Sequence, residues 1–317
     1  MSGLVTLGEQ MGQVVADQEG PLRAGSPARL SVCGAEATVA IGVRRLGLSA
    51  TYLGRVGDDA FGRMGIDVLQ AEGVDVSHMV QDPAAPTGLL IRNRRTADRT
   101  VVEYLRAGSA GSRLAPADVD DEVVAAADVL HVTGITPALG SSSAEAVLHA
   151  VSVAQEAGVP VSLDVNHRVR LWPSADPPWL QPLVSAATVV FGSPHELALL
   201  VPGLSPGASP AQLLEGVASR GPGEVVLKQG SAGATSLVDG QLQAVEAHRV
   251  TVVDVVGAGD AFVAGYLAAR LEGRQPLERL RLGAVVGAFA VGVRGDWEGL
   301  PRRAELALFE HADDVLR

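Results

Sequence analysis

From about residue 120 onward, short apolar runs alternate with longer stretches whose apolar positions recur at helical spacing. That is the pattern of a parallel sheet covered by helices. Residues 129–132 read as a strand, and 142–157 read as a helix with Val147, Val151 and Ala154 on one face, ended by Gly158 and Pro160. Further strands are read at 161–165, 188–191, 224–227 and 250–254. Earlier in the chain, 35–46 is helical with Val39, Val43 and Leu46 aligned, 51–54 is a strand, and 59–71 is a second helix. The apolar run 282–293 between Arg281 and Arg294 reads as a buried core helix, since its 12 residues fall short of the ~20 that a membrane helix needs.

One segment breaks this alternation. Residues 87–92 and 100–105 are extended runs around the polar turn 94–99, which predicts a hairpin. Residues 10–33 are likewise poor in helical period and rich in Gly and Pro. Segments 10–33 and 86–112 are therefore expected to form a small antiparallel flap, a lid beside the main sheet. No internal repeat or dividing linker is evident, so the expectation is one α/β domain over 1–317.

Composition narrows the function classes. With 47% hydrophobic residues in a chain of 317, a large core is available. A net charge of −11 has the wrong sign for a phosphate backbone or an anionic membrane, so neither nucleic acid nor membrane is an expected partner. Cys33 is the single cysteine, and no CxxC or HExxH spacing is present, which points to a reducing, cytoplasmic setting without a cysteine metal cage. No basic segment leads into an apolar stretch at the start, so no signal peptide is expected.

In open α/β sheets, ligands bind beyond the carboxyl ends of the strands. Asn166 and Arg168, Ser193 and Glu196, Lys228 with Gly230 and Gly233, and 257–260 all follow strands there, with Asp164 inside a strand end. The strongest element is 254–262, a glycine-rich turn running into a helix. Free amides of residues 257–260 at a helix start suit an anion. Asp260 beside them could take a proton from a hydroxyl while those amides hold a transferred phosphoryl group, or it could be a helix cap. Lys228 is the only lysine, and with Gly230 and Gly233 it suits phosphate or nucleotide. Glu196 could hold Mg²⁺ or serve the helix dipole. Tyr104 and Arg106, two apart on a strand, share a face and suit a carboxylate or polyol, with Arg168 as a second cation; either arginine could instead be surface. Cys33 reads as a packing residue, and His167 and His195 have no assigned role. No GxxxxGK[ST] is present, and 7–10 lacks the GxGxxG dinucleotide fingerprint.

Taken together, 54–62 (GRVGDDAFG), 228–233 (KQGSAG) and 254–260 (DVVGAGD) resemble the ribokinase-like (PfkB) sugar kinases over nearly the whole chain. Segments 108–112, 131–138, 162–168 and 294–299 look most like the 2-keto-3-deoxygluconate kinases within that family. The resemblance implies a three-layer sandwich with a mostly parallel sheet and a small β-sheet lid. It implies ATP and Mg²⁺, and admits a monovalent cation. Asp260 would deprotonate a primary hydroxyl of a sugar acid, with 257–259 (Gly257, Ala258, Gly259) as anion hole. Gly34, Tyr104, Arg106 and Arg168 would contact the sugar acid; Lys228, Gly230 and Gly233 would line the nucleotide site; Glu196 would serve the metal. A homo-oligomer is expected, because exposed extended runs offer an edge for pairing.

The chain departs from that pattern at several positions. Ser193 stands where the metal motif has Asn, Cys33-Gly34 replaces a Gly-Gly pair, Thr38 replaces an Asn, and Leu90 replaces a Tyr. The loss of an amide at Thr38 and of a phenol at Leu90 leaves room for another sugar or nucleoside kinase of the family. A noncatalytic sugar sensor on the same fold is the rival from a different class.

Overall fold

The computed structural model describes residues 3–96, 99–172, 174 and 176–309. In chain order the elements are β1 (Leu4–Gly8), β2 (Met11–Ala16), β3 (Ala28–Cys33), α1 (Ala35–Arg45), β4 (Ala50–Gly57), α2 (Ala60–Ala71), β5 (Val80–Asp82), β6 (Leu89–Thr96) and β7 (Arg99–Leu105). There follow α3 (Asp121–Ala125), β8 (Val129–Thr133), α4 (Ser141–Glu156), β9 (Val161–Asp164), α5 (Leu180–Ala186), β10 (Val189–Gly192), α6 (Pro194–Leu199) and α7 (Pro210–Ala218). The chain continues through β11 (Glu224–Lys228), β12 (Ala234–Val238), β13 (Gln241–Val245), α8 (Ala258–Leu271) and α9 (Pro276–Val291).

The large sheet has the order β13-β12-β11-β10-β9-β8-β1-β4-β5. It is parallel from β11 to β5, while β12 and β13 add an antiparallel edge. Strands such as β8, β9 and β10 are buried along their whole length, as expected for strands covered on both faces. One core carries Val147, Val151 and Ala154 of α4 with α5 and α7; the other joins α1, α8 and α9 across the opposite face. Together they make the α/β three-layer sandwich expected from the chain. The apolar run 282–293 lies largely in α9, where Leu282, Val286 and Ala290 face inward against α8. Among the described residues no helix is long and apolar enough to cross a membrane.

A second, four-stranded sheet has the order β3-β2-β6-β7. It is the small flap read from 10–33 and 86–112, with one difference: β2 and β6 pair in parallel, and only the outer pairs are antiparallel. The reason is connectivity, because β2 and β6 are joined through β3, α1, β4, α2 and β5, not by a turn. Residues 97 and 98 of the expected hairpin turn lie outside the described residues.

The expected strand at 250–254 does not form. The hairpin β12–β13 already closes that edge of the large sheet, so this apolar segment crosses the open mouth instead. Val252, Val253 and Val255 are exposed, and the amides of Val253 and Asp254 donate to the Val291 carbonyl at 2.8 and 3.2 Å. Asp59, read as the first residue of a helix, is its cap, accepting from the Gly62 amide.

Candidate active site

A cavity of about 1050 Å³ opens between the carboxyl ends of the large sheet and the inner face of the small one. All twelve residues singled out above line it: Gly34, Tyr104, Arg106, Arg168, Glu196, Lys228, Gly230, Gly233, Gly257, Ala258, Gly259 and Asp260. The small sheet supplies Gly34, Tyr104 and Arg106; three strand ends of the large sheet and one irregular turn, not four strand ends, supply the other nine.

Gly257 caps α8 in the left-handed region, φ 75°. A side chain there would also stand 2.0 Å from the Asp296 carbonyl oxygen, so the turn needs glycine twice over. Asp260 is the third residue of α8, in its amide-rich first turn. The Asn166 amide group donates to its Oδ1 at 3.0 Å. Asn166 itself has φ 41°, a conformation that Asn tolerates better than most residues. Burial pushes the Asp260 pKa up; Lys228, Arg168 and the Asn166 bond oppose this without cancelling it.

Behind Asp260 lies an ion pair. Lys228 Nζ donates to Asp164 Oδ2 at 2.6 Å, and Asp164 is buried with its Oδ1 unpartnered among the described atoms. Burial alone would lower the Lys228 pKa, but Asp164 and Glu196 raise it, so the ammonium keeps its proton. Its Nζ lies 3.5 Å from where a Cβ on Gly259 would be, at the start of α8. Gly230 and Gly233 both have positive φ, and a side chain on Gly233 would collide with the Val245 carbonyl at 2.0 Å.

Glu196 is held by backbone. Ser193 and Glu196 form a capping box at the start of α6. The Ser193 amide donates to Glu196 Oε2 at 2.7 Å and the His167 amide to Oε1 at 2.9 Å. Burial raises its pKa, yet Lys228 and these amides prevail and hold it below the ordinary glutamate value. Among the described residues no three His, Cys, Asp or Glu side chains cluster so as to hold a metal unaided.

On the facing sheet, the Arg106 guanidinium sits 5.4 Å from the Tyr104 ring centroid. Its Nε donates to buried Glu9 at 2.7 Å, and Nη2 donates to the same oxygen. Glu9 also accepts from the Ser109 hydroxyl at 2.5 Å. Gly34 is required by closeness, since a Cβ would stand 2.8 Å from the Glu9 carbonyl oxygen. Next to this polar group, Met11, Cys33 and Leu90 form an apolar patch with Val102 against them. Cys33 is a packing residue, its thiol pKa pushed up by burial. Thr38 is buried within α1 and does not reach the cavity surface. His167 stacks edge-on against Trp172 at 4.6 Å and near His195 at 5.7 Å, which makes both histidines part of an aromatic cluster beside the site.

Several lining residues escaped the sequence: Glu9, Gln13, Glu36, Arg92 and Asp296. Glu36 is buried in the first turn of α1, its Oε1 accepting from the Thr133 and Thr136 hydroxyls, each at 2.7 Å. Glu9 directly follows β1, so the strand-end rule could have found it. Arg92 had no such signal.

An α/β sandwich with its cavity between a helix start and a small flanking sheet is an arrangement suited to phosphoryl transfer onto a small molecule. The chain belongs to the pfkB family of carbohydrate kinases, whose pattern it matches over residues 1–303. It is 37% identical over 310 residues to a 2-dehydro-3-deoxygluconokinase of Thermoproteus tenax, covering 96% of this chain and 93% of that one. Among solved structures it is similar to a PfkB protein from Polaromonas sp. JS666, with TM-score 0.86, 33% identity, and coverage of 96% and 99%. It is also similar to an E. coli protein named for ribokinase II, in complex with ATP and Mg²⁺, with TM-score 0.87, 26% identity, and coverage of 98% and 99%.

Proposed function

We propose that this kinase transfers the γ-phosphoryl group of ATP to the primary hydroxyl of a small sugar acid, 2-keto-3-deoxygluconate, giving its 6-phosphate. The observation that carries the reading is that Asp260 and the amide-rich turn before it open onto the same cavity as Tyr104, Arg106 and Arg168. Asp260 accepts the hydroxyl proton as the sugar oxygen bonds to the γ-phosphorus. The bond from that phosphorus to the β,γ-bridging oxygen breaks, and ADP leaves. Backbone amides of 257–259 hold the developing charge, and Lys228, Gly230 and Gly233 line the nucleotide's part of the cavity. Lys228 can exchange its Asp164 contact for phosphate oxygens.

Arg106 and Arg168 face the acid's carboxylate and oxygens with Tyr104 and Gly34 beside them. The apolar patch of Met11, Cys33 and Leu90 suits the deoxy carbon, which makes no hydrogen bonds. Glu196 fits Mg²⁺ held through water: it is ionised, and each oxygen keeps a lone pair beyond its amide bond. When bound with the triphosphate, Mg²⁺ neutralises phosphate charge. ADP release over keto-deoxy sugar acids, ribose, fructose and nucleosides, in sodium and in potassium buffers, tests the substrate. The expected result is a preference of about 10²-fold or more in kcat/KM for the keto-deoxy acid, the scale of one or two buried polar groups left unpaired by the wrong sugar. Preference for fructose, ribose or a nucleoside defeats the assignment but keeps the kinase, whereas tight sugar binding without turnover favours a sensor.

The same reading includes a homo-oligomer. By register, Leu30, Val101 and Leu105 lie on one face of the small sheet, the face turned away from the cavity. They are exposed by 59%, 42% and 59%, a patch suited to a second copy. Sedimentation should show a dimer or larger that dissociates on Leu105→Glu; a monomer at micromolar concentration contradicts it.

A further inference from the structure

The small sheet is tied to the phosphate-side turn at a point remote in sequence. Arg92 of β6 donates through Nη2 to Asp254 Oδ1, and its Nη1 lies 3.7 Å from Asp296 Oδ1. Arg92 and Asp254 are both over nine-tenths buried at the side chain. Asp254 in turn accepts from the Val256 and Gly295 amides, each at 3.2 Å. It thereby joins the residue just before Gly257 to the segment on which Gly257 rests. Other bonds run the same way: Gln13 of β2 donates to Asp296 at 3.1 Å, Ser31 of β3 donates to Glu298 at 2.8 Å, and the Trp297 indole donates to the Val32 carbonyl at 3.1 Å.

This arrangement has a mechanical consequence. A guanidinium is a rigid planar fork that can hold two carboxylates at fixed separation. Here the two carboxylates belong to the segments that meet at Gly257, whose close approach to the Asp296 backbone leaves the turn no slack. The turn has no strand to hold it, because residues 250–254 cross the mouth without a ladder.

We propose that Arg92 is a positioning residue: from the small sheet it fixes the turn bearing the amides of 257–259, so that seating that sheet over the sugar and shaping the anion hole are one event. The inference rests on the anion-hole role proposed above. It predicts that nucleotide chemistry depends on a residue of the sugar-side sheet that need not touch the nucleotide.

Amide hydrogen exchange on the full-length protein tests it without any substrate, with β8, β9 and β10 as internal reference. In Arg92→Met, exchange at 254–260 should accelerate by about tenfold or more beyond any change in those strands. Arg92→Lys, which keeps the charge without the fork, should restore part of the protection. With the sugar that the panel identifies, Arg92→Met should lower kcat by about 10- to 100-fold, the scale of a slightly misplaced group, while the sugar KM stays within about threefold. If no panel sugar turns over, the proposed function fails, and calorimetric affinity for a nonhydrolysable ATP analogue replaces kcat, with the same direction expected. Acceleration at 254–260 no greater than in the reference strands overturns the inference. So does an unchanged kcat or analogue affinity, or a higher sugar KM at unchanged kcat, which would make Arg92 a plain sugar contact.

Discussion

At the scale of single residues, the account turns on what surrounds Asp260. Its carboxyl is raised by burial and bonded to Asn166, and a base works only when unprotonated. As pH falls through the raised value, Asp260 takes up a proton and turnover is lost, so the acid limb of kcat should lie above the ordinary aspartate range near pH 3.9. Asp260→Asn should retain ATP binding, lower kcat by about 10²-fold or more, and abolish that limb, as read by steady-state kinetics and calorimetry. A variant with near-normal turnover removes Asp260 from the chemistry. Much of this site was legible, because strand ends in α/β sheets converge: Asn166, Arg168, Glu196 and Lys228 stand at or just after the ends of three adjacent strands and meet in one cavity. What escaped were the partners that set each group's state. Glu9 and Arg106 are 97 positions apart, and Arg92 and Asp254 are 162 apart. No spacing rule joins residues whose contact is made only by the stacking of two sheets.

At the scale of elements, apolar period found what is buried on both faces and misjudged what lies at an edge. The strands β8 to β11 and the helices α1 and α4 were legible because their apolar content has nowhere else to go. Residues 250–254 carry the same composition as a strand, but the β12–β13 hairpin takes the edge they would have joined. The parallel pairing of β2 with β6 was likewise invisible, since it follows from the long connection between them and not from any local turn. The cap at Gly257 was readable because two glycines within three positions at a helix start have few other uses.

At the scale of the molecule, both sheets line one cavity, and the function proposed above puts the phosphates against the large sheet and the sugar against the small one. Neither holds a complete site. Gly34, Tyr104 and Arg106 sit across the cavity from Lys228 and 257–260, and Arg92 spans the gap. Family membership fits this division, since relatives that share the fold carry names for different sugars. On the function proposed above, the small sheet would set the substrate and the turn would carry the chemistry. The most direct measurement is a crystal structure with a nonhydrolysable ATP analogue and the keto-deoxy sugar acid together. The account predicts the terminal phosphate on the amides of 257–259, with a primary hydroxyl about 3 Å from an Asp260 oxygen. A terminal phosphate bound away from that turn, or a sugar whose hydroxyls all point from Asp260, would contradict it.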